Sequence, residues 1–307
     1  MQQKQKMNQA SQWRLAMARK VAPVISTNPK VQAVILAGST SRGWADSYSD
    51  IEIGVFWTTP PSDEERMAPI AVAGGVFWEL DPYNPEDDIW MEEWGLAEIK
   101  MDVRNLTVER MEGILQDVVD HYDISAFKQA TVSAAQYAIP LYNAPLLEQW
   151  QRKLAHYPDE LARAMVQENV QLYEWCWWVD QLISRADWPL LHQSFSDATF
   201  QVFSILLGLN RIYHPGFKWM NRWIDEMQIA PPDFANRIKE IFRAEPLKAL
   251  QEAQKLVLEI YDLVNKHMPE VDIQHARNKF LHWRKQFESA PAGILLDHDA
   301  APDGHLL

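Results

Sequence analysis

The sequence predicts an α+β chain in which a sheet-forming segment is followed by an all-helical one. Up to about Pro140, short apolar runs alternate with turn-forming stretches such as Thr58-Thr59-Pro60-Pro61 and Asp81-Pro82-Tyr83-Asn84-Pro85. Beyond it, long stretches of helical periodicity succeed one another with short breaks. A chain of 307 residues can bury one large core or two modest ones. The expected division is 1–140, 141–289 for the helices, and a loose tail at 290–307.

The elements follow in order. A short helix is expected from Ser11. Residues 31–37, VQAVILA, form a branched, apolar run closed by Gly38 and read as a buried strand. Ile51-Glu52-Ile53-Gly54-Val55-Phe56-Trp57 reads as a second strand, with further strands at Phe77-Trp78 and around Ile99-Lys100-Met101-Asp102-Val103. Thr107 then caps a helix. The helical patterns run over 145–155, 159–184, 196–213, 218–227, 232–243, 246–267 and 273–289. There is no internal repeat and no low-complexity segment.

Charge and composition narrow the function. The formal net charge of -13 opposes a broad nucleic-acid footprint and favours small or cationic partners. No segment is apolar enough to cross a membrane or act as a signal peptide, so no membrane association is expected. Cys176 is the only cysteine, which excludes an internal disulfide and fits a reducing cytoplasm. Flanked by Trp175 and Trp177, it reads as a packing residue. His192, His275 and His282 lack zinc-ligand spacing.

The chemistry concentrates in Gly38-Ser39-Thr40-Ser41-Arg42-Gly43 and the Asp50-Ile51-Glu52 that follows. Strand alternation turns Asp50 and Glu52 to one side and Ile51 and Ile53 to the other. Two adjacent carboxylates repel unless a cation lies between them, and Mg²⁺ suits carboxylates, waters and phosphate oxygens. Taken alone, the stretch also reads as a polar turn at a strand edge. It lacks the G-x-G-x-x-G spacing of a dinucleotide fingerprint and the Gly-Lys-Ser/Thr of a Walker loop.

These residues resemble the nucleotidyltransferase superfamily that includes DNA polymerase beta and the aminoglycoside and lincosamide nucleotidyltransferases. Gly38, Ser39 and Gly43 match its turn, and Asp50 and Glu52 its acidic pair, with Glu where Asp is more usual. The resemblance spans about twenty residues. It implies a palm domain with a mixed β-sheet, a nucleoside triphosphate donor (ATP by preference) and two Mg²⁺ ions. It also implies a third carboxylate on a later strand, for which Asp102 is the first candidate, ahead of Glu79 and Glu98. Asp50, Glu52 and Asp102 would then be catalytic and metal-binding, while Gly38, Ser39, Arg42 and Gly43 would bind phosphate. Arg42 also reads as an exposed spacer or ion-pair partner.

An αβ domain followed by helices also resembles the antibiotic-modifying members, whose acceptor lies between domains. Within the helices, Leu209-Asn210-Arg211-Ile212-Tyr213-His214-Pro215-Gly216-Phe217-Lys218-Trp219 resembles a segment of an uncharacterised bacterial family with nucleotidyltransferase motifs. Lys218 reads either as a ligand of the β or γ phosphate or as a solvated residue at a helix corner, and His214 is open in the same way. Trp44 is the first choice among 14 tryptophans for stacking on a base or acceptor, although most should be packing residues. Glu168, Glu174 and Asp180 read as a solvated stripe or as ligands of acceptor amines.

Three functions compete. The first is nucleotidyl transfer to a small hydroxylated acceptor, with aminoglycoside-like cations as the model and antibiotic resistance as the context. The second is protein or RNA nucleotidylation of the antitoxin type. The third is non-catalytic nucleotide binding in an interaction protein.

Overall fold

The computed structural model describes residues 7–86 and 89–287, so the tail expected at 290–307 lies outside the described residues. The first half runs α1 (Gln9–Ile25), β1 (Val31–Leu36), α2 (Gly38–Ser41), β2 (Ile51–Trp57), α3 (Asp63–Val72), β3 (Val76–Leu80), β4 (Trp90–Leu96), β5 (Ile99–Thr107), α4 (Val108–Val119), α5 (Ala126–Gln136) and β6 (Ile139–Tyr142). The second half is helical: α6 (Ala144–Leu154), α7 (Asp159–Asn169), α8 (Trp175–Ser184), α9 (Trp188–Leu209), α10 (Met220–Glu226), α11 (Phe234–Ile241), α12 (Pro246–His267) and α13 (Gln274–Phe280).

The six strands form one mixed sheet in the order β3-β4-β5-β2-β1-β6. Every neighbouring pair is antiparallel except β2 and β5, which run parallel with Glu52 beside Asp102 and Gly54 beside Arg104. Alternation then gives the sheet two distinct faces. On the back face Leu36, Ile51, Ile53, Val55, Met101 and Val103 pack against Leu15, Ala18 and Val21 of α1 and Ile70 of α3. On the front face Ala33, Ile35, Phe56 and Leu106 lie under α4, α5, α6 and α7, through Met111, Val132, Trp150 and Met165. Each fully buried side chain of this size contributes roughly 1.5–3 kcal/mol. The front-face core joins residues from both sides of position 140, and β6 straddles that position.

A further apolar cluster surrounds α9, whose last turns from Val202 to Leu209 are buried throughout. Cys176 is part of that cluster, and burial pushes its thiol up to about 12, as expected of a packing residue. Among the described residues no helix is long and apolar enough to cross a membrane.

Several helix boundaries depart from the periodicity. The helix expected at 159–184 is two helices, α7 and α8. Between them the Val170 carbonyl accepts from the Tyr261 hydroxyl at 2.8 Å, and Glu174 adopts φ 50° while its N–H donates to the Lys279 carbonyl. Tertiary partners thus take over groups that would have continued one helix. The helix expected at 196–213 starts earlier, at Trp188, with Pro189 in its first turn. That expected at 273–289 ends at Phe280, and residues 288 and 289 lie outside the described residues. Helices α3 and α5 and strand β4 had no counterpart in the sequence reading.

The back face carries a buried polar network. Arg66 and Glu92 have side chains 0% and 4% exposed and approach to 3.4 Å. The Arg66 guanidinium also donates to Asp63 and to the carbonyls of Asp81 and Met91. Asn105 donates to Glu92 at 2.7 Å and accepts from the Trp57 indole at 2.9 Å. Burial pushes the Glu92 carboxyl up to about 8, against the opposing pull of Asn105 and Arg66. A carboxyl raised on folding binds more protons in the native than in the unfolded state, so its stabilising contribution falls as pH rises from the ordinary carboxylate range to about 8. Glu92→Gln should flatten that part of the stability profile, measured by urea denaturation at successive pH values. An unchanged slope would show that Glu92 is ionised throughout.

Candidate active site

Strand β1 runs into the turn that starts the site. The Ala37 N–H donates to the Glu52 carbonyl at 2.9 Å, tying this turn to β2. Gly38 has φ +66°, and a Cβ there would overlap the Glu52 carboxylate, so only glycine permits this approach. The chain then makes the single helical turn of α2, where a simple Gly-Ser turn was expected. Gly43, at φ +77°, closes it with an N–H donated to the Thr40 carbonyl at 3.1 Å. Arg14 of α1 fixes the approach to β2 by donating twice to the Ser49 carbonyl, at 2.9 and 2.7 Å.

The parallel register sets Glu52 and Asp102 side by side on the front face. Glu52 is raised by burial first and then by the like charge of Asp50, with Arg104 and Arg42 opposing. Asp102 is raised by burial, against Arg104 and Lys100. Its Oδ1 is buried without a hydrogen-bond partner, while Lys100 Nζ lies 4.0 Å from Oδ2 and 2.5 Å from Glu93.

Above these carboxylates opens a cleft of about 290 Å³. Gly38, Ser39, Arg42, Glu52, Asp102 and Lys218 all line it. Lys218 enters from the segment between α9 and α10, so residues distant in sequence share one space. Asp50 and Gly43 are not among the lining residues. Asp50 immediately precedes β2 and acts on Glu52 through its charge, whereas Gly43 shapes the turn from behind.

Arg42 is committed to the protein. Its guanidinium donates to the Gly38 carbonyl and to both the carbonyl and hydroxyl of Ser133, each at 3.3 Å. Tyr137, Trp223 and Trp44 surround it at 5.0, 5.0 and 5.9 Å. It is therefore a strut between the turn and α5, not the exposed spacer considered from sequence. Trp44 packs edge-on against Trp223 at 5.0 Å, buried at the cleft wall. His214 is a packing residue too: Nδ1 accepts from the Gly216 N–H, and burial lowers its pKa to about 4.

The remaining candidates lie elsewhere. Glu98 sits in the tight β4–β5 turn and Glu79 on the edge strand β3. Glu174 pairs with Arg284, and neither it nor Glu168 nor Asp180 lines the cleft. The sequence reading missed Arg104, an exposed cation on the cleft floor. It stands two residues beyond Asp102, so strand alternation alone was the signal for it. Phe127 and Thr131 of α5 were also missed, because that helix itself was not recognised.

A divalent cation suits these donors. Two adjacent carboxylates, one with an unpartnered buried oxygen, match the one or two protein carboxylates that Mg²⁺ takes alongside waters and substrate phosphates. Among the described residues no group of three or more His, Cys, Asp or Glu side chains is placed to hold a metal ion, so Asp50 does not join Glu52 and Asp102 in a three-carboxylate set. Gly38→Ala should destabilise the fold by about 1–3 kcal/mol, since it combines an unfavourable φ with displacement of Glu52. Chemical denaturation measures this, and an unaltered midpoint would show that the turn relaxes without cost.

Comparison with known proteins adds the following. Residues 126–220 match a family described as Domain of unknown function (DUF4037), a span that runs from α5 to Lys218 and its neighbours and covers less than half of the chain. Among solved structures, the chain is similar to a nucleotidyltransferase-like protein from Exiguobacterium sibiricum 255-15. The two share 12% identity at a TM-score of 0.42, over 87% of this chain and 77% of the other. No curated protein matches. Sheet, cleft and helices together therefore define an α+β chain that is similar, over residues 126–220, to a family described as a domain of unknown function.

Proposed function

We propose that this chain transfers a nucleoside monophosphate from a nucleoside triphosphate, ATP by preference, to a hydroxyl of a small acceptor. The observation that carries the proposal is the pairing of Glu52 with Asp102 on the floor of a cleft that Lys218 enters from the helical side. Glu52 and Asp102, assisted by the charge of Asp50, would hold Mg²⁺, which supplies positive charge to the triphosphate and to the developing oxyanions. Ser39 and the N–H groups of its turn bind terminal phosphates, and Lys218 and Arg104 add the charge of two exposed cations. Asp102, raised by burial, accepts the proton of the acceptor hydroxyl as that oxygen bonds to the α phosphorus. The bond from the α phosphorus to pyrophosphate breaks, and pyrophosphate leaves. Arg42 holds the turn in place and makes no phosphate contact in this scheme. The chain's net charge of -13 favours a cationic acceptor of the aminoglycoside type.

One feature favours a larger acceptor as a second reading. Beyond Asp102 the front face is uncovered: Trp78 lies over Gly95, 48% exposed, and Val76 is 66% exposed. A protein or RNA hydroxyl could approach Asp102 across that surface.

Incubation with each labelled nucleoside triphosphate, Mg²⁺, and a panel of aminoglycosides, lincosamides and test proteins decides between these acceptors. Label on a small molecule supports the first reading and label on protein the second, while label on neither leaves nucleotide binding without transfer. Glu52→Gln and Asp102→Asn should each lower kcat by roughly 100-fold or more. Lys218→Ala should raise the KM for nucleotide by roughly 10- to 100-fold, the loss of one charge-assisted contact. Full activity in either carboxylate variant would remove the mechanism.

A further inference from the structure

The floor of the cleft changes character along its length. In the parallel register Glu52 lies beside Asp102, Gly54 beside Arg104 and Phe56 beside Leu106, and all of them line the cleft. At the usual rise of a strand, Glu52 and Phe56 stand about 13 Å apart. A ligand lying along these strands therefore meets charge at one end and hydrocarbon at the other.

Two walls rise beside this floor, one from α5 and one from the segment between α9 and α10. Phe127, Ala130, Thr131 and Ala134 recur at helical spacing and all line the cleft, so one face of α5 is turned to it. Ser133 of the same helix holds Arg42 at the phosphate turn, and Phe127 lies about 9 Å of helix rise away from it. The other segment contributes Pro215, Gly216 and Phe217. The buried Gln129 side-chain carbonyl accepts from the His214 N–H at 3.0 Å, which ties the two walls together.

The aromatic rings of the lining are not equally open. Trp44, Trp223 and Phe56 are at most 8% exposed, whereas Phe127 and Phe217 are 48% and 40% exposed. Phe217 is held in place, stacked on Phe200 at 4.0 Å and edge-on to His214 at 4.8 Å. Wet aromatic faces inside a cleft are where an aromatic ligand gains most from burial. The side chains of α5 and of residues 215–217 that line the cleft offer a single polar group, the Thr131 hydroxyl. That hydroxyl already donates to the Phe127 carbonyl at 3.0 Å.

We propose that this apolar end, walled by Phe127 and Phe217, seats the nucleobase of the donor and selects it by stacking area, with little reading of its edge. This rests on the chain taking a nucleoside triphosphate donor. With the phosphates at Ser39, Arg104 and Lys218, the base is the aromatic part of the same molecule and falls on the apolar side. Adenine and guanine present nearly the same ring area, so the preference for ATP over GTP is slight, and both bind more tightly than CTP and UTP.

Dissociation constants of ATP, GTP, CTP, UTP and inorganic tripolyphosphate, measured with Mg²⁺ by isothermal titration calorimetry, test this. ATP and GTP should bind within about threefold of each other, and CTP and UTP more weakly. Phe127→Ala and Phe217→Ala should each weaken ATP roughly 5- to 100-fold, the loss of one stacking face, while Phe127→Trp retains it. Phe127→Ala should leave tripolyphosphate unaltered, whereas Lys218→Ala should weaken tripolyphosphate and ATP alike. Three results would each overturn the base seat and leave the transfer reading standing: unchanged ATP affinity in both alanine variants, equal loss of tripolyphosphate in Phe127→Ala, or a preference for one base over every other beyond about 100-fold. Absence of any nucleotide binding would remove both. ATP binding that follows the expected pattern, without transfer to any acceptor, would remove the transfer reading and uphold the seat.

Discussion

The buried guanidinium of Arg42 is the joint on which the cleft is built. One side chain ties the Gly38 carbonyl, in the turn after β1, to Ser133 of α5, and three aromatic rings close around it. Desolvation works against its charge, and the nearby carboxylates of Glu52 and Glu226 support it. Trp44, one of those rings, packs in turn against Trp223, and Arg42, Trp44 and Trp223 line the cleft together with Lys218. Arg42 shares the cleft lining with two further cations, Arg104 and Lys218.

The front face of the sheet divides its work along each strand. In β2 the side chains pointing forward are Glu52, then the bare Gly54, then Phe56; in β5 they are Asp102, Arg104 and Leu106. Charged residues occupy the open end and apolar ones the end covered by α4 to α7. A gradient from wet to dry therefore runs along two adjacent strands, with the carboxylates at the border. Partial burial raises both Glu52 and Asp102 without removing them from solvent.

Much of this was legible in the sequence, for physical reasons that can be named. The β2 strand was found because alternation and a branched apolar run coincide, whereas the close approach of Gly38 to the Glu52 carboxylate is visible only in the structure. Helix α12 was readable from Pro246 to His267 because its periodicity is unbroken. Strand β4 was not readable: its acidic, aromatic sequence carries outward Glu93 and inward Glu92, so burial of a carboxylate disguises the pattern. The break between α7 and α8 was equally hidden, since the groups that interrupt it, Tyr261 and Lys279, come from about a hundred residues away. The anchoring of Arg42 was hidden for the same reason, since Ser133, which accepts from it, is remote in sequence.

The single parallel pairing in the sheet also governs how the protein assembles. β4 and β5 meet through a tight turn at Ala97 and Glu98, both in the left-handed region, and can zip locally. β2 and β5 can join only after α3, β3 and β4 have been looped out between them, a closure that costs chain entropy and delays the contact. That late contact is the one that brings Glu52 and Asp102 together against their mutual repulsion. The sheet's outer hairpin is thus a contact between neighbours in sequence, whereas the pairing that floors the cleft is a long-range one.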